Sequence, residues 1–82
     1  MRVLVQKRDL MILNLAKEKL IEQSDIPWES SYQSKMRRLR KLCEAGFLEM
    51  LVVSRQRPNQ YRLTEKGERV LRMKQNLFNV KH

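Results

Sequence analysis

The sequence predicts a small α+β domain, and three observations carry that prediction. Residues 45–71, AGFLEMLVVSRQRPNQYRLTEKGERVL, run in order as a helix end, a strand, a basic polar turn, a second strand and a new helix start. Two earlier segments, residues 9–21 and 31–45, repeat apolar side chains at helical spacing. The 82 residues suffice for one modest core. The expected architecture is a three-helix core, a two-stranded β-hairpin and a C-terminal helix in a single domain.

Residues 1–5 suit either a short strand or the lead-in to a first helix. Residues 9–21 place Leu10, Leu13, Leu20, Ile21 and the aliphatic stem of Lys17 on one face, with Met11, Ile12 and Leu15 widening the apolar arc. This spacing predicts an amphipathic or largely buried helix that can start as early as Val5. Its end has two readings: it runs unbroken to Gln23, or it breaks near Lys17 and re-forms as a short second helix. Ile26 precedes Pro27, which pushes it toward extended geometry and sets a boundary there. Trp28 is expected to pack the following turn down, with a nucleic-acid contact as the alternative role.

Ser30, with Gln33 three residues on, fits a capping box, and no helix breaker follows before Ala45. On a helical wheel Tyr32, Met36, Leu39 and Cys43 share one face, with Leu42 at its edge. Ser34, Arg37, Arg38 and Lys41 stand opposite, and Gln33, Lys35 and Arg40 lie on the flanks. Gly46 can stop the helix in a left-handed conformation. Residues 47–53 are rich in strand formers, and residues 55–59 form a turn whose Pro58 cannot sit mid-sheet.

Residues 61–63 return as a short strand, with Tyr61 expected in the packing interior. Thr64 supplies an N-cap hydroxyl. Glu65 and Glu68 fall in the first turn of the last helix, where they favour its dipole, and Gly67 is read as a glycine that permits close packing. Val70, Met73, Leu77 and Val80 follow at alternating spacings of three and four, a short a/d seam. The seam can pack back on the first helix or form a dimer interface. Leu71 and Phe78 widen the apolar band beyond what one partner needs, which favours a homodimer. Residues 79–82 are expected to fray.

Charge narrows the function. Residues 1–26 carry five basic and four acidic side chains, net +1, and residues 27–82 carry thirteen and five, net +8, together the +9 of the chain. A field concentrated in this way attracts a polyanion, nucleic acid before anionic membrane. The apolar stretches are short and interrupted by charge, and the amino terminus lacks a signal-peptide pattern, so the expected location is cytoplasmic. One cysteine, Cys43, excludes an internal disulfide and is read as a small core residue. One histidine, His82, leaves no zinc cluster. No nucleophile stands beside a histidine, no glycine-rich phosphate loop is present, and Asp25 and Glu29 look like solvated turn residues. No enzyme, metal, cofactor or small-molecule ligand is expected.

A helix in a major groove needs one face anchored to its own domain and another that reaches phosphates and base edges. Arg bonds bidentately to guanine and Gln to adenine, whereas Lys and Ser mostly hold phosphates. Gln33, Ser34, Arg37 and Arg38 are therefore the readout candidates, and Lys41 a backbone contact. The competing reading is a solvated charged face, weakened because Glu44 is the one acid between Ser30 and Gly46. Arg55 and Arg57 flank Gln56 in the turn, a second basic point that suits a minor groove. Its bland alternative is a hairpin loop that happens to be charged.

From Ser30 onward the chain resembles winged-helix transcriptional regulators, in particular the MarR-like and PadR-like groups and the short winged-helix repressors of viruses and mobile elements. The residues that carry the likeness are Leu39, Leu42, Glu44-Ala-Gly46 and Leu48, and then Tyr61-Arg-Leu-Thr-Glu-Lys-Gly67. The resemblance implies a winged helix-turn-helix in which Gln33, Ser34, Arg37, Arg38 and Lys41 face the groove and Arg55 and Arg57 form the wing tip. Taken with the charge and the seam, the expected function is a homodimeric regulator of transcription, a repressor, that binds double-stranded DNA. The chain is short for the full architecture of those regulators, which add further dimerisation helices. The chain departs from the pattern at residues 17–30, where such proteins carry a clear second helix. Two other functions remain open: a low-specificity DNA module in replication or packaging, and a protein-interaction domain docking an acidic partner.

Overall fold

The computed structural model describes residues 5–78, with side chains through residue 74. The elements follow as α1 (Lys7–Glu18), a 3-10 turn (Gln23–Asp25), α2 (Tyr32–Glu44), β1 (Leu48–Leu51), β2 (Gln60–Leu63) and α3 (Glu65–Phe78). The strand reading of residues 1–5 falls largely outside the described residues, as does the frayed end at 79–82.

Helix α1 starts because Asp9 caps it: its Oδ2 accepts the Gln6 backbone N–H at 2.9 Å. Leu10, Ile12, Leu13 and Ala16 form the buried face. The helix ends at Glu18, earlier than residue 21, because the chain must become extended to reach the sheet. Lys19 is extended, and Ile21 exchanges backbone hydrogen bonds with Tyr61, Ile21 N–H to the Tyr61 carbonyl at 3.1 Å and Tyr61 N–H to the Ile21 carbonyl at 2.8 Å. Ile21 is fully buried by this route, whereas Leu20, expected to point inward, is exposed. Of the two readings of this region, the break near Lys17 is the one found. The element that re-forms is a single 3-10 turn, held by the Glu22 N–H to Asp25 Oδ2 bond at 2.8 Å.

Ser31, not Ser30, caps α2, its Oγ accepting the Ser34 N–H at 3.1 Å. The buried contacts of α2 are Leu39 and Leu42, so Leu42, placed at the edge by the wheel, is central. At the far end Gly46 has φ +86°. There the Phe47 N–H reaches the Leu42 carbonyl at 2.9 Å and the Gly46 N–H reaches that of Cys43 at 3.0 Å. This is a Schellman ending, and the left-handed residue it needs is the expected glycine.

Strands β1 and β2 are antiparallel in the register Leu48–Leu63, Glu49–Arg62, Met50–Tyr61 and Leu51–Gln60. Arg62 pairs with Glu49 across the strands. Val52 and Val53, expected in the strand, lie beyond its end and are exposed. The segment joining the strands, residues 52–59, is thus a longer wing than the sequence suggested.

Thr64 ties the hairpin to both helices that flank it. Its Oγ1 accepts the Gly67 N–H at 3.0 Å and donates to the Gly46 carbonyl at 2.6 Å, while its N–H reaches the Phe47 carbonyl at 3.1 Å. Gly67 is buried where a Cβ would stand 2.2 Å from the Phe47 carbonyl oxygen, so the close packing expected of it is present.

The core joins α1 residues Leu10, Ile12 and Leu13 to Ile21, Ile26, Leu39, Leu42, Phe47, Leu48, Tyr61 and Leu71. Helix α1 packs on α3 and β2, and α2 packs on β1 and the 3-10 turn. On α3, Leu71 is buried and Val70 partly so, while Met73 is 63% exposed. The remaining seam residues lie outside what is described: the Leu77 side chain and Val80.

Candidate nucleic-acid interface

Helix α2 projects past the core at its amino-terminal end. Gln33, Arg37 and Arg40 are exposed along it, and Ser34 is half-buried. Arg55 and Arg57 sit on the exposed wing. Among the described residues, none of Arg37, Arg40, Arg55 and Arg57 takes part in an ion pair. A groove of about 550 Å³ separates the start of α2 from the wing, with Tyr32, Met36, Val52, Arg55, Arg57 and Tyr61 on its walls. A second groove runs on the other side of the same ridge, lined by Tyr32, Gln33, Met36, Arg37 and Arg40.

Arg38 and Lys41 are placed differently from the expectation of a free, groove-facing pair. Asp9 is fully buried. Its Oδ1 accepts Arg38 Nη1 at 2.9 Å, and its Oδ2 accepts Lys41 Nζ at 2.6 Å together with the Gln6 N–H at 2.9 Å. The same Arg38 nitrogen reaches Gln6 Oε1 at 3.0 Å. Arg38 Nε lies 3.2 Å from Glu29 Oε2, but its N–H is poorly aligned, so the contact is an ion pair without a hydrogen bond. Arg8 approaches the same Glu29 oxygen at 3.5 Å.

Glu29, expected to be solvated, is 7% exposed and belongs to this cluster. Burial alone would raise the Asp9 carboxyl; the hydrogen bonds from Lys41, the Gln6 N–H and Arg38 outweigh it and hold the pKa below the usual aspartate value. The cluster locks α2 to the start of α1. Arg38 and Lys41 are thereby tied to α1, whereas Lys35, Arg37 and Arg40 of α2 take part in no ion pair among the described residues.

Arg40, left on a flank by the wheel, lines the second groove, and Tyr32, assigned to the core face, is 62% exposed beside it. Their available signal was position: Tyr32 opens the helix immediately after its cap.

Two solved structures share this fold. A crystal structure of smu.1704 from Streptococcus mutans UA159 aligns with TM-score 0.78 and 22% identity, over 95% of this chain and 81% of that one. A crystal structure of Bacillus subtilis PadR in complex with operator DNA aligns with TM-score 0.71 and 19% identity, over 94% of this chain and 49% of that one. The fold is a winged helix. The chain spans about half the length of PadR. No protein-family profile and no curated protein matches the sequence.

Within this fold α2 precedes the hairpin, and residues 52–59 join its two strands as the wing. The remaining reactive or polar side chains support this frame. Burial, with Glu44 adding to it, pushes the Cys43 thiol above its ordinary pKa and so disfavours the thiolate. Burial also raises the Tyr61 hydroxyl, in keeping with its core position. Trp28 packs against the core, and its buried indole N–H has no hydrogen-bond partner among the described residues. Among the described residues, no helix is long and apolar enough to cross a membrane.

Proposed function

We propose that this chain is a sequence-specific, double-stranded-DNA-binding regulator of transcription. Helix α2 enters the major groove, and the wing rests on the adjacent minor groove or backbone. The observation that carries this reading is a surface on which Arg37, Arg40, Arg55 and Arg57 stand without paired carboxylates around the α2–wing grooves. Unpaired guanidinium groups on two separate elements suit the phosphates of a duplex. Gln33, Ser34 and Arg37 are the base-edge candidates, and Arg38 and Lys41 act by holding the helix at its angle. The likeness to a PadR solved with operator DNA supports the same reading.

The regulator acts as a cytoplasmic homodimeric repressor. Val70, Met73, Leu77 and Val80 form the seam between copies, and exposed Met73 is the described residue that favours it. A dimer places two recognition helices about one DNA turn, roughly 34 Å, or a multiple of it apart, and selects a pseudo-palindrome.

Selection of bound duplexes from a random pool tests these statements together. A symmetric enriched site is the expected result. An Arg37→Glu, Arg40→Glu variant that keeps wild-type affinity for that site overturns the proposal, and equal affinity for every duplex points to a packaging role.

A further inference from the structure

Phosphate binding leaves one feature of the recognition surface unexplained. Tyr32 is 62% exposed on the first turn of α2, and Met36 follows it one turn later. The two form an apolar ridge between the wing-side groove, with Arg55 and Arg57, and the groove that carries Arg37 and Arg40. No Asp or Glu lines either groove among the described residues. An apolar edge with cations on both sides matches the cross-section of a major groove, whose two walls are phosphate and whose floor holds one kind of apolar group. That group is the 5-methyl of thymine. The first turn of a groove-inserted helix is also the part that meets base edges.

We infer that Tyr32 and Met36 are specificity determinants that pack on thymine 5-methyl groups while the flanking arginines hold the backbones. The inference rests on the DNA-binding reading and deepens it. Val52, exposed on the same groove wall, lengthens the apolar edge toward the wing.

The test uses the full chain and a duplex enriched from a random pool. Each thymine is replaced singly by deoxyuridine, which removes the methyl group and keeps the hydrogen-bonding edge. Wild type should lose about fourfold in affinity at one or two positions per half-site, the effect of one buried methyl-sized group. Tyr32→Ala with Met36→Ala should bind thymine and uracil duplexes alike. Tyr32→Phe should keep the discrimination, because the ring and not the hydroxyl makes the contact. Circular dichroism checks that the variants fold, since Tyr32 is exposed but Met36 is partly buried against the core. Equal wild-type affinity for all thymine and uracil duplexes overturns the inference while leaving DNA binding in place. So does an enriched site without thymine, or discrimination that survives in the double variant. Absence of wild-type binding to any duplex at low salt overturns both the inference and the reading beneath it.

Discussion

Replacing Asp9 with Asn removes one negative charge from the most buried polar site of the fold and leaves its shape unchanged. The wild-type carboxylate is fully buried and accepts three hydrogen bonds, from Gln6 N–H, Arg38 and Lys41. Removing one partner of a buried ion pair costs about 3–5 kcal/mol. Here the cost is reduced because the Arg38 and Lys41 side chains are 19% and 33% exposed and can regain water, and because Glu29 still holds Arg38. We expect a loss of about 2–3 kcal/mol at neutral pH, set by that discount. At roughly 4–8 °C per kcal/mol for a domain of this size, the melting temperature should fall by about 10–20 °C.

The acid limb gives a second readout of the same group. The folded pKa of Asp9 lies below its ordinary value of 3.8, so the unfolded chain binds the proton first as pH falls. The stabilisation is complete above 3.8 and disappears as pH drops through the folded pKa. Wild type should therefore lose stability in acid more steeply than Asp9→Asn, with Asp25, whose carboxyl is lowered chiefly by the Glu22 N–H, contributing equally to both curves. Urea unfolding at a series of pH values measures this. A neutral-pH loss below about 0.5 kcal/mol, the range of ordinary surface changes, or superimposable acid limbs, would refute the reasoning.

Four further outcomes follow from the same geometry. Gly67→Ala should be severely destabilising, by about 3 kcal/mol or more in urea unfolding, because its Cβ meets the Phe47 backbone at 2.2 Å. Gly46→Ala should cost only about 1–2 kcal/mol in the same measurement, since its penalty is the φ of +86° and the nearest atom to its Cβ is the flexible Lys66 chain at 3.5 Å. Arg37→Ala and Arg38→Ala should separate in paired titration and melting experiments: the first weakens DNA binding at unchanged melting temperature and lowers the salt slope by about one, while the second lowers the melting temperature. Met73→Glu should leave the fold intact and shift sedimentation to the monomer, because the side chain is exposed in the isolated chain.

What was legible in the sequence was whatever depends on neighbours along the chain. The left-handed turn at Gly46 and the Thr64 cap on the Gly67 N–H are made within a few residues, and both were found as read. The hairpin order and Tyr61 in the core were equally local inferences. The site was harder because its geometry depends on contacts made at long separation. Arg38 and Lys41 meet an aspartate 29 and 32 residues away, and nothing on the α2 wheel distinguishes a cation so held from a free one.

Tyr32 shows the other limit. It lies seven residues before Leu39, about 10 Å along the axis, so the two point in nearly the same direction. A wheel gives direction but not where the partner surface ends, and here the core ends before the first turn of α2. The short 3-10 turn has a related consequence. A full second helix would brace α2 by packing, whereas this turn buries no side chain of its own. The brace passes instead to Ile21 and Ile26 on either side of it and to the Asp9–Arg38–Glu29 cluster. An ion pair is more directional than apolar contact, so the angle of α2 depends on Asp9 more than the small size of that residue suggests.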